Sequence, residues 1–199
     1  MKLYHREHAG RPIRVAWTLE EAGQPYELVR MSSDEGKGPE HLDRHPLGKV
    51  PVLDDDQGYV FESAAICMHL ADLNPQAELM PAPGTHERAL VYQWAVFAPS
   101  ELEPTLLESA IWAERDPERS AKAAKRFADR ASAVSVALGD NDYLLAGTFT
   151  VADILVATAL EFARRAGLAD AVSAGNLDAY LERARARPAF QRAYERAAP

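Results

Sequence analysis

Val50-Pro51-Val52-Leu53 and Tyr59-Val60-Phe61, separated by Asp54-Asp55-Asp56-Gln57-Gly58, read as two short strands around a polar turn. β-Branched and aromatic residues bounded by aspartate and glycine have the composition of a β-hairpin. A helix from Ser63 to about Leu73 follows at once. Toward the N-terminus, Lys2-Leu3-Tyr4-His5 and Tyr26-Glu27-Leu28-Val29-Arg30 read as further strands. Between them Pro12 opens a helix at a position where its missing N–H costs nothing, and Gly23 with Pro25 ends it. A glycine-rich loop, Glu35-Gly36-Lys37-Gly38-Pro39, leads to a short helix around Glu40–Asp43. The order β-α-β-α-β-β-α is one α/β module, and its first β-α-β piece is expected to be parallel and right-handed.

Pro75, Pro81, Pro83 and Gly84 punctuate a linker. From Thr85 onward every periodic stretch is helical. Residues 87–107 carry Leu90, Val91, Trp94, Phe97 and Ala98 at helical spacing, and 118–138 is rich in alanine and basic residues. The strongly apolar stretch 150–166 is the expected buried helix of an all-α bundle. Residues 177–187 and 188–197 supply two more helices. Thr150 is placed to cap the buried helix, with Asp153 reaching back and Phe149 stapled to Ile154; this feature stabilises and carries no chemistry. The expected organisation is therefore an α/β domain over 1–76, a linker over 77–84 and an all-helical domain over 85–199.

Composition narrows the function. The 199 residues carry a formal net charge of −8, which argues against a nucleic-acid partner because phosphate binding needs a basic face. Neither a signal-peptide core nor a run of about 20 apolar residues is present, so no membrane partner is expected. The single cysteine, Cys67, rules out an internal disulfide and fits a reducing, cytoplasmic compartment. It reads as a small buried hydrophobe. Asp54-Asp55-Asp56 lacks the rest of a calcium loop and reads as a turn, so no metal is expected.

Four passages resemble the glutathione transferase superfamily, most closely its bacterial beta- and theta-like members. They are Arg14-Val15-Ala16-Trp17-Thr18-Leu19-Glu20-Glu21-Ala22-Gly23, His45-Pro46-Leu47-Gly48-Lys49-Val50-Pro51-Val52-Leu53, Glu62-Ser63-Ala64-Ala65-Ile66, and the C-terminal pair Thr148–Asp153 with Arg187–Gln191. Together they span nearly the whole chain, and their co-linear order is specific. The resemblance implies a thioredoxin-like N-terminal domain and an all-α helical-bundle C-terminal domain. It implies glutathione as co-substrate, small hydrophobic electrophiles as acceptors, and a homodimer.

The resemblance also assigns a site. A cis Val50–Pro51 bond is implied, turning the backbone of Val50 toward the cysteinyl part of the ligand. Ser63 opens a helix, where free N–H groups and the dipole favour the γ-glutamyl carboxylate, and Glu62 sits near its ammonium. Lys37 and Lys49 are placed for the glycine carboxylate.

The catalytic position departs from the family. The loop reads Arg6-Glu7-His8-Ala9-Gly10-Arg11-Pro12, with Ala9 where relatives place a serine and Arg11 where others place a cysteine or asparagine. Two readings stand. In one, Arg11, assisted by His8, stabilises the thiolate together with the helix start, and the chain conjugates glutathione to electrophiles or runs a related glutathione-dependent isomerase, dehalogenase or peroxidase reaction. In the other it is a non-catalytic glutathione-binding or scaffold protein. Another low-molecular-weight thiol in place of glutathione also remains open. In the helical domain Val96 and Glu103 replace the family's asparagine and histidine, so the acceptor pocket differs from that of beta-like relatives. Trp94, Phe97 and Trp112 are candidates to line it, or core.

Overall fold

The computed structural model describes residues 1–6, 10–145, 147–173 and 175–197. Backbone contacts gather these into two units, Met1–Met80 with the chain from Ala186 on, and Pro81–Arg185.

The first unit is built on a sheet of order β2-β1-β3-β4, with β1 Lys2–His5, β2 Glu27–Arg30, β3 Val52–Asp54 and β4 Tyr59–Phe61. β1 and β2 run parallel; β3 pairs antiparallel with β1 at Tyr4↔Val52 and with β4 at Leu53↔Val60. The expected hairpin is therefore present. Its turn is held by Asp55, whose carboxylate accepts from the backbone N–H groups of Gln57 and Gly58 at 3.1 and 3.2 Å. His69 Nε2 donates to the other oxygen at 2.9 Å, which ties the turn to α3, Ser63–Leu73.

Helix α1, Arg11–Glu21, buries an unbroken run from Pro12 to Leu19. It ends where expected. Gly23 has φ +64°, Gln24 N–H donates to Leu19 O at 3.0 Å and Gly23 N–H to Glu20 O at 3.3 Å. A left-handed residue with this bond pair satisfies the last carbonyls of a helix, and glycine alone pays no β-carbon penalty there. A 3-10 turn, Glu35–Lys37, precedes α2, Pro39–Arg44.

The last helix belongs to this unit. Residues 188–197, read from sequence as part of the C-terminal domain, fold onto α1. Phe190 meets Trp17 edge-on at 4.9 Å, and Arg187 grips Glu21 through Nε at 2.6 Å and Nη2 at 2.8 Å. Arg192 and Arg196 both reach Glu20. Fork-to-carboxylate pairs of this kind fix orientation as well as adding energy.

The second unit holds α4 His86–Phe97, α5 Glu103–Trp112, α6 Pro117–Leu138, α7 Val151–Arg165, α8 Ala169–Val172 and α9 Leu177–Arg185. Helix α7 is buried from Val151 through Glu161 and packs on α4, α8 and α9. The expected single helix over 87–107 is interrupted by a π turn at Ala98–Leu102. Pro99 cannot donate to the preceding turn and its ring crowds it, so the helix widens. Ser100 Oγ takes up the carbonyl of Val96 at 2.8 Å. Asn176 closes α6, donating to Ser135 O at 3.2 Å and also to Gly139 O. Among the described residues no helix is long and apolar enough to cross a membrane.

Candidate functional site

The residues that carry chemistry in the first unit converge through glycine and histidine rather than through the cations themselves. Gly48 has φ +59°, and a β-carbon there would stand 2.3 Å from Gly36 O, inside van der Waals contact. Only glycine lets these two backbones touch. Their contact brings the turn bearing Lys37 against the loop bearing Lys49, both of them exposed.

Two buried histidines on and after α2 hold that loop. His41 is fully buried and its Nε2 donates to Lys49 O at 2.9 Å. His45 Nδ1 accepts from Leu47 N–H at 3.0 Å, and its ring lies 4.7 Å from that of Phe61. Burial pushes the His45 pKa below the usual histidine value; Lys49 and His41 push the same way and Glu62 opposes them. Burial wins, so His45 stays neutral and keeps its acceptor. The Val50–Pro51 bond is cis and leads into β3.

Glu62 joins β4 to α3 with φ +69° and ψ 108°, a conformation that costs a residue bearing a β-carbon about 1–3 kcal/mol. It caps α3 with its backbone only, and its side chain is exposed. Ser63, next in line, is 5% exposed. Arg14 Nη1 donates to Ser63 Oγ at 3.4 Å. A guanidinium only donates, so the serine oxygen is the acceptor, and among the described residues its own hydrogen is given to none. A spare hydroxyl proton, the unshared N–H groups of a helix start and a buried guanidinium form a donor set that fits a carboxylate.

Arg14 was not singled out from sequence, although a charge inside the apolar run Ile13–Leu19 was the available signal. Its backbone carbonyl also accepts from Thr18 Oγ1 at 2.8 Å and Cys67 Sγ at 3.5 Å. Burial pushes the Cys67 thiol up to about 11, which keeps it protonated and unreactive. His41 and His45 were missed as well, because histidine in a short polar helix carries no sequence signal for burial.

Arg11 is the first residue of α1 and half-buried; no acidic residue stands in that first turn, and Gly10 at the cap position has no side chain to donate to. His8 lies outside the described residues. In the second unit Trp94 is buried against Phe97, ring to ring at 5.1 Å, as core. Trp112 is half-buried under Arg119, whose guanidinium carbon stands 4.1 Å from the ring centre. Val96 is exposed and Glu103 is 3% exposed. Among the described residues no group of three or more histidine, cysteine or acidic side chains could hold a metal ion.

Comparison with known proteins follows the two halves of this picture. The family description "Glutathione S-transferase, N-terminal domain" matches residues 1–72 and "Glutathione S-transferase, C-terminal domain" matches residues 97–188. Glutathione S-transferase 1 of Zea mays is 44% identical over 96 residues, 47% of this chain and 44% of that one. The chain thus aligns with about half the length of such plant relatives. Glutathione S-transferase 1 of Schizosaccharomyces pombe is 31% identical over 76% of this chain and 71% of its own. The solved ternary complex of BphK, a bacterial transferase of this kind, superposes with a TM-score of 0.87 at 30% identity, covering 99% of both chains.

Proposed function

The chain belongs to the glutathione S-transferase family, and on that premise we propose that it binds glutathione and joins it, through its thiol sulfur, to small hydrophobic electrophiles. The observation that carries the proposal is Ser63, a buried hydroxyl with an unspent proton, set by Arg14 at the start of α3. Glu62, held beside it in a strained backbone, offers a carboxylate to the ligand's ammonium. The backbone of Val50 next to the cis bond is available for pairing with the ligand's own peptide, and Lys37 and Lys49 face an anionic end.

Ionising the thiol is the chemical task. A thiol near pKa 8.5 is a few per cent ionised at neutral pH, and each unit of depression takes about 1.4 kcal/mol. A helix N-terminus contributes about 0.3–1 kcal/mol to a nearby anion, and a guanidinium adds to it. Arg11, the first residue of α1, supplies that cation in our reading, with His8 assisting. The thiol proton passes to water; the sulfur lone pair forms the carbon–sulfur bond as the leaving group departs with its bonding pair. Orientation of the thiolate supplies much of the rate.

A homodimer completes the proposal. Leu42, Leu47, Tyr59 and Phe61 leave apolar surface exposed on the first unit, with Leu47 at 69%, which a second copy would cover. The single cysteine, buried and protonated, is at home in a reducing cytoplasm.

Ultraviolet difference absorbance of bound glutathione across pH, on the wild type and on Arg11→Ala, tests the reading. A thiolate band at neutral pH that is lost in R11A is the expected result. Binding without the band in the wild type makes the chain a glutathione-binding protein with no transferase chemistry. No binding refutes the glutathione assignment.

A further inference from the structure

Lys49 and Val50 share one peptide unit whose two polar ends are treated differently. The carbonyl, Lys49 O, accepts from His41 Nε2 at 2.9 Å. The amide, Val50 N–H, has no hydrogen-bond partner among the described residues. Val50 is half-buried and precedes β3, whose pairing with β1 starts at Val52.

The cis bond is Val50–Pro51, and Lys49–Val50 is trans. In a trans peptide the C=O and N–H lie in one plane and point in opposite directions. Holding Lys49 O against His41 therefore turns Val50 N–H away from α2. Gly48, whose N–H is tied to His45 O at 2.8 Å, and Val52, paired with Tyr4, anchor the chain on either side. Between such anchors one peptide unit still turns about its two flanking bonds, and the bond to His41 sets its face.

His41 is held firmly enough to do this. Its N–H reaches Gly38 O at 3.1 Å, its carbonyl receives His45 N–H at 2.8 Å, and its ring is fully buried, 6.3 Å from that of Tyr4. A carbonyl only accepts, so Nε2 carries the proton, and Nδ1 has no partner among the described residues. An unmatched buried polar atom costs at least as much as one hydrogen bond returns, so the ring is a poor choice for stability alone. What it provides is a donor at a fixed reach, on a side chain with few torsions to immobilise.

We propose that His41 is a positioning residue for the thiol co-substrate: by holding Lys49 O it aims Val50 N–H at a carbonyl of the ligand's own peptide backbone. The inference rests on the glutathione reading above. His41, with no exposed surface, acts only through the Lys49–Val50 peptide. Were that peptide turned over, it would present a carbonyl to a carbonyl, and the two would repel.

A matched pair of variants separates aim from packing. Glutamine and methionine are close in size, and only glutamine can donate to Lys49 O. Wild type, His41→Gln and His41→Met are titrated with glutathione by calorimetry, and the Val50 amide is followed by nitrogen–proton NMR. The wild-type Val50 amide proton should move downfield on saturation. H41M should bind about tenfold more weakly and lose that shift, whereas H41Q should keep it and bind within about threefold of the wild type. An H41M that binds as tightly as H41Q, or a wild-type Val50 amide that does not respond to bound glutathione, overturns the role of His41 and leaves the glutathione reading standing. Should H41M not fold, H41Q decides: a folded H41Q that loses the shift overturns the role. A wild type that binds no glutathione overturns both.

Discussion

The starts of α7 and α3 each carry a hydroxyl residue, Thr150 at the cap of one and Ser63 at the first position of the other, and they treat it in opposite ways. At α7, Asp153 satisfies everything within reach. One of its oxygens accepts from Thr150 N–H at 2.9 Å and the Thr150 hydroxyl at 3.3 Å, and the other from Leu144 N–H at 2.9 Å and Tyr180 OH at 3.1 Å. The site is fully buried, and burial raises the pKa of Asp153 even against those donors. At α3, Glu62 caps with its backbone alone, its φ is positive, and the Ser63 hydroxyl keeps its proton. The first start is closed for stability. The second leaves donors unspent and holds a strained residue, which is how a binding site is paid for.

That contrast can be broken experimentally, beginning where the effect is greatest. Asp153→Ala strands several buried donors, each worth about 1–3 kcal/mol, so the variant should lose about 3–5 kcal/mol in urea unfolding. Gly48→Ala drives a β-carbon into Gly36 O and should cost about 2 kcal/mol or more while weakening glutathione binding, because Lys37 and Lys49 lose their common support. Ser63→Ala takes one long hydrogen bond from buried Arg14 and should cost about 1 kcal/mol, well below Asp153→Ala, yet weaken glutathione binding about tenfold. If S63A proved as unstable as D153A with binding intact, the two helix starts would be alike and the comparison would fail.

The smallest effect is a pH slope. Folded His45 holds its proton less well than unfolded histidine, which titrates near 6.5. The unfolded chain therefore gains a proton first as pH falls. Stability should decline below about pH 6.5, by at most about 1.4 kcal/mol per pH unit from this group, and level off below the folded pKa. His45→Asn should flatten that part of the profile in urea titrations at stepped pH. An unchanged slope would mean that burial does not hold the folded His45 pKa below its unfolded value.

Local signals were enough for most of the fold. Pro12 and Gly23 bracket α1, the Asp54–Gly58 turn sits between β3 and β4, and Thr150 with Asp153 starts α7, because each depends on residues close in sequence. The π turn was not foreseen. Pro99 advertised a disturbance, but whether a helix ends or widens at proline depends on what packs around it. The placement of α10 on α1 was equally out of reach, since the Glu21–Arg187 and Glu20–Arg192 pairs join residues far apart in the chain.

The candidate site divides along the same line. Sequence alone determined which residue types were on hand and the short motifs that carry them: Val50–Pro51, Glu62–Ser63, and the lysines each following a glycine. Tertiary structure decided that Gly36 and Gly48 touch and that Arg14 reaches Ser63. The physical reason is range. Turns, caps and strand patterns are set by neighbours within a few residues, whereas electrostatic partnership and the exclusion of a β-carbon are set by whatever the folded chain brings to the same point.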